Sequence, residues 1–80
     1  MPVEFEGRTA TIRSVSFASL DALIALLQER VHVTIEIGVH SDSQGDPDSN
    51  LQITSAQANA VATYLIEHGV NAPRLTARGY

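Results

Sequence analysis

Residues 31–40 read Val31-His32-Val33-Thr34-Ile35-Glu36-Ile37-Gly38-Val39-His40, the clearest strand pattern in the chain. Val31, Val33, Ile35, Ile37 and Val39 share one face of an extended chain. His32, Thr34, Glu36, Gly38 and His40 share the other. Side chains along a strand point to opposite faces in turn. The alternation therefore predicts a strand over residues 31–39, apolar face on helices and polar face outward.

Downstream, residues 41–52 are rich in Ser, Asp, Asn, Gly and Pro, which predicts a loop. A loop of that length exceeds the usual 4–6 residues, roughly, and is a functional candidate. A helix is expected from about residue 54 to 68, with Ile53, Ala60, Val61, Tyr64 and Leu65 as its apolar stripe. Thr54 and Gln57 have the spacing of a capping box. Gly69 suits the position after the helix, and Pro73 stops any continuation. Residues 74–80 read as a short last strand.

Upstream, Phe17, Leu20, Leu23, Ile24 and Leu27 form the stripe of another helix. Ser16 or Ser19 suits its N-cap, and Asp21 its first turn. Residues 3–12 alternate as a first strand, interrupted by a bulge or loop at Gly7 and Arg8. The expected order is β-α-β-α-β, an α/β chain forming one domain over residues 1–80.

Composition narrows the function. The chain has no cysteine, which excludes disulfides, thiolate metal sites and a thiol nucleophile. The hydrophobic fraction of 44% is ordinary for a globular domain. No apolar run approaches the roughly 18 residues of a membrane helix, and the N-terminal residues do not read as a signal peptide. Five arginines face nine acidic residues, for a net charge of -4. Bulk attraction to nucleic acid or anionic lipid is not expected, so binding belongs to a local site.

Three spaced motifs then carry a resemblance. Ile35-Glu36-Ile37-Gly38-Val39-His40-Ser41-Asp42-Ser43-Gln44-Gly45 resembles an apolar strand followed by Gly-His-Thr-Asp and a glycine turn. Asn50-Leu51-Gln52-Ile53-Thr54-Ser55-Ala56-Gln57-Ala58 resembles Asn-x-x-Leu-Ser-x-x-Arg-Ala. Arg74-Leu75-Thr76-Ala77-Arg78-Gly79-Tyr80 resembles a final strand signature, and Phe5-Glu6 stands where a Phe-Asp pair is usual. In this order they are similar to the OmpA-like peptidoglycan-binding domain found at the C-terminal end of OmpA, Pal and MotB.

The resemblance implies an α+β sandwich, with two helices packed on one face of a small sheet. It implies non-covalent, non-catalytic binding of peptidoglycan through the diaminopimelate of the stem peptide, with no cofactor and no metal. It places the chain in the periplasm, where a longer parent protein would tether it to the outer membrane or cell wall. Many members continue with another helix and strand, so a fragment of a longer chain is expected.

The site follows residue by residue. Asp42 falls on the aspartate that takes the ligand's ammonium, and Asn50 on a loop asparagine. Thr54 replaces the cap serine. Gln57 stands at the position of the arginine that takes a carboxylate. An amide cannot make that bidentate, charge-assisted pair. Arg8 follows Phe5 and Glu6, near backbone that the family uses for ligand contact, and offers a replacement cation.

Each assignment has a plainer counterpart. Asp42 can bond its own turn, Gln57 can serve only the capping box, and Arg8 can be a solvated loop residue. Asp46, Asp48 and Asn50 resemble the start of a calcium loop, but Leu51 and Gln57 stand where Gly and Glu are needed. His32, Glu36 and His40 are spaced about 13 Å apart in turn along a strand, too far to share a metal. His40, Ser41, Asp42 and Ser43 are neighbours in sequence, whereas a triad converges from separate elements. An alternative function remains: an OmpA-like domain without its ligand, acting as a structural module or pairing with a second copy through an open sheet edge.

Overall fold

A computed structural model describes residues 3–40 and 45–80. A 3-10 turn at Ser14–Ser16 leads into helix α1 (Phe17–Glu29). Strand β1 (Ile35–Val39), helix α2 (Pro47–Glu67), a second 3-10 turn (Ala72–Arg74) and strand β2 (Leu75–Gly79) follow. The strands pair in parallel, with Ile35 opposite Leu75 and Val39 opposite Gly79.

The α1 stripe is as the spacing predicts. Leu20, Ile24 and Leu27 are buried, and Phe17 and Leu23 flank them. Val61 and Leu65 from α2, together with Val70, complete the buried cluster. Ile35, Ile37 and Leu75 cover it from the sheet. Burying each of the leucines contributes about 1.5–3 kcal/mol. Two helices thus share one core with one face of a small sheet, in the expected α/β class.

Ser16 is the N-cap of α1, but its hydroxyl makes no cap bond. It accepts the Glu4 N–H at 2.8 Å instead, tying the N-terminal segment to the helix start. Asp21 lies beyond the first turn and accepts a bond from Tyr64.

The strand expected over 31–39 is shorter. The Val33 N–H turns back to the Arg30 carbonyl at 3.1 Å, and Val31 and Val33 are exposed. Arg74 explains why the chain stays turned. Its guanidinium donates to the carbonyls of Leu27 at 2.9 Å, Arg30 at 2.5 Å and Val33 at 3.0 Å. It satisfies carbonyls that the end of α1 leaves without helical partners.

Residues 3–12 do not form one strand. Gly7 takes φ +57 and the chain reverses there. Phe5 pairs with Ile12 as an isolated antiparallel bridge, flanked by Glu6 N–H to Thr11 O at 2.9 Å and Arg13 N–H to Glu4 O at 2.8 Å. One bridged pair is too short for a strand, and the result is a narrow hairpin.

At its far end, α2 finishes as the sequence predicts. Gly69 adopts φ +103, and the Val70 N–H reaches back to the Leu65 carbonyl at 3.0 Å.

Candidate functional site

Helix α2 begins at Pro47, well before the expected start near residue 54. Asp46 is the N-cap, accepting the Ser49 N–H at 3.4 Å and the Ser49 hydroxyl at 3.0 Å. Pro47 follows with φ already suited to a helix and no N–H to leave unpaired. The polar run 47–52 is therefore helical, not loop. It also disposes of the calcium-loop resemblance, because Asp46 caps a helix while Asp48 lies in its first turn.

The earlier start moves Thr54 and Gln57 into the helix interior. They form no capping box. The Thr54 hydroxyl donates to the Leu51 carbonyl at 3.2 Å, a bond within the helix. Gln57 donates from Nε2 to the Thr9 carbonyl at 3.0 Å, across to the hairpin.

The buried residues of α2 are Asn50, Thr54, Gln57, Ala58, Val61 and Leu65. Spacings of three and four residues place them along one side of the helix. Its far half is apolar and joins the core. Its near half is polar, which a core alone does not require. Each polar group there is bonded: Arg8 Nη2 donates to Asn50 Oδ1 at 2.6 Å, and Gln57 holds Thr9.

The hairpin thus lies along the polar half of α2. Arg8 is exposed, with its guanidinium on a buried amide. Thr9 braces the hairpin tip: its N–H and hydroxyl reach the Glu6 carbonyl at 3.2 and 2.5 Å, and its Oγ1 accepts the Thr11 N–H at 3.2 Å. Glu6 takes part through its backbone and its side chain is exposed. Phe5 is half-buried against the core. Asp42, with Ser41, Ser43 and Gln44, lies outside the described residues.

Strand β2 closes the other side. A Cβ at Gly79 would meet the Ser55 backbone nitrogen and stand 2.5 Å from Thr54 Oγ1. Only glycine lets the strand come this close to α2. Beyond it, Tyr80 lies on the outer face, stacked on His40 at 4.6 Å and bonded through its hydroxyl to Glu36.

Among known families, the OmpA family matches residues 4–80. The chain belongs to the OmpA family. A relative, the probable lipoprotein YiaD of Escherichia coli, is 29% identical over 77 residues, covering 96% of this chain. The chain spans about a third of YiaD, 35% of its length. An outer membrane protein of Borrelia burgdorferi superposes with a TM-score of 0.88 at 22% identity, covering 98% of this chain and 70% of the other. The peptidoglycan-associated lipoprotein of Burkholderia pseudomallei superposes at 0.83, also at 22% identity, covering 95% and 63%.

Of the expected site residues, the OmpA fold brings Arg8, Asn50, Thr54 and Gln57 to the polar half of α2 and its hairpin. The structure adds two contributors, Asp46 and the Thr9 carbonyl. Asp46 was legible, since Asp-Pro with Ser49 following is a helix-start pattern. The Thr9 carbonyl was not, because every residue has one and only the tertiary fold selects it.

Proposed function

We propose that this OmpA-family chain is a non-catalytic module that binds peptidoglycan non-covalently through the diaminopimelate of the stem peptide. The reading rests on one observation: the buried side of α2 turns polar at Asn50, Thr54 and Gln57, in the segment that carries the family motif. Asp42, in sequence between β1 and α2, takes the ligand's ammonium. The polar half of α2 and the hairpin over it, with Phe5 and Glu6 at its base, face the carboxylate end. The domain works in the periplasm, fixing a longer parent protein of the outer membrane to the cell wall.

Titration with a diaminopimelate-containing stem peptide, followed by backbone amide shifts, tests this. Shifts are expected at Asp42, Asn50 and Gln57, and Asp42→Ala is expected to abolish them. An unshifted spectrum at millimolar peptide overturns the reading. If light scattering also shows a stable dimer, the module instead pairs with a second copy.

A further inference from the structure

We infer that Arg8, carried by the N-terminal hairpin, supplies the cation for the ligand's carboxylate, and that Gln57 is the strut that holds the hairpin in place. This rests on the stem-peptide reading above and names the residue that makes it work without a helix arginine.

The charges of the chain lead to Arg8. Arg74 is committed to three backbone carbonyls at the end of α1. Arg78 faces outward on β2, and Arg30 lies at the C-terminal end of α1. Arg13 leaves the hairpin at its open end, where its N–H pairs with Glu4. Arg8 alone among the described arginines bonds to α2, at Asn50.

The two bonds between hairpin and helix are spaced to fit. Asn50 and Gln57 are seven residues apart, two turns along the same side of α2, or about 10.5 Å. Arg8 meets the first and its neighbour Thr9 the second, at 2.6 and 3.0 Å. The hairpin is therefore anchored on both sides of the peptide unit that follows Arg8. Gly7 at φ +57 and the Thr9 bonds to Glu6 fix its shape before any ligand arrives. A cation held this way loses little freedom on binding.

The chemistry of Arg8 suits the task. Its partner at Asn50 is a neutral amide, which orients the guanidinium without cancelling its charge. A guanidinium has five N–H donors, so one bond to Asn50 leaves an edge able to meet a carboxylate bidentately. Gln57 gives its amide N–H to a backbone carbonyl, which is a positioning role.

The test uses a stem peptide with a free diaminopimelate carboxylate and the same peptide with that carboxylate amidated. Wild type is expected to bind the free acid at least about tenfold more tightly, the scale of one charge-assisted pair. Arg8→Gln is expected to weaken binding of the free acid by about that factor and to erase the preference. Arg8→Lys is expected to recover part of it. Gln57→Arg is expected to restore binding strongly in the Arg8→Gln background and to add less in wild type, because both cations serve one carboxylate. Gln57 still holds Thr9 in the Arg8 variants, so their fold is checked by an amide spectrum unchanged away from the hairpin and Asn50. Equal binding by wild type and Arg8→Gln overturns this inference and leaves the stem-peptide reading standing. So does an equal gain from Gln57→Arg in both backgrounds. A wild type blind to both peptides overturns the two together.

Discussion

Tyr64 links the two helices by a single side-chain bond, from its hydroxyl to Asp21 Oδ1 at 2.7 Å. Its ring also stacks between Phe17 at 5.0 Å and His68 at 4.1 Å. The bond to Asp21, with some loss of water and the charge of the carboxylate, raises the phenol above the usual tyrosine value of 10.0. The unfolded chain releases this proton first as pH rises. The bond's contribution to stability is thus whole below about pH 10 and is lost as pH climbs through the folded value. In a Tyr80→Phe background, ultraviolet titration should place Tyr64 above an ordinary tyrosine. Asp21→Asn should bring it back down; an unmoved titration would refute the link. Neither residue announced this bond in the sequence. Tyr64 read as part of an apolar stripe and Asp21 as a first-turn acid. Contacts between residues 43 positions apart are set by how the helices pack.

Helix α2 shows what a local pattern reveals and what it hides. Its end was legible, because Gly69 and the chain after it can satisfy the last carbonyls only by a left-handed turn. Its start is hidden, because Thr54 and Gln57 have the spacing of a cap wherever they occur. Asp46 carries the actual cap through Ser49. Removing it by Asp46→Ala should cost about 1 kcal/mol, a fall in Tm of about 4–8 °C for a domain of this size. Thermal unfolding followed by circular dichroism measures it, with the Thr54→Ser variant expected to leave the cap intact. An unchanged Tm on losing Asp46 would return the start to residue 54. The N-terminal alternation is ambiguous for a related reason. Alternation on both sides of Gly7 is compatible with one bulged strand or two arms of a hairpin, and only the glycine's φ decides.

Across the whole molecule, Arg74 ties the last strand to the end of the first helix. Carbonyls of Leu27, Arg30 and Val33 accept from it, and it stands just before β2. Arg74→Met keeps the length of the stem and loses the donors. We expect a loss of about 1.5–3 kcal/mol, the range for bonds to a charged group. Amide exchange should quicken first at Val33 and the last turn of α1. A denaturation midpoint equal to wild type would show that water replaces the guanidinium at no cost. The α1 stripe, the alternation through β1, the end of α2 and the spaced motifs of the OmpA family are legible along the chain alone. These depend on periodicity and on the conformations that glycine and proline allow, which are properties of neighbours in the chain. That Gln57 holds Thr9, that Arg8 rests on Asn50 and that Gly79 lies against Thr54 and Ser55 follows from packing. Those contacts join residues tens of positions apart. Which polar groups meet is fixed only when the core brings the hairpin, α2 and β2 together and leaves each buried donor a partner.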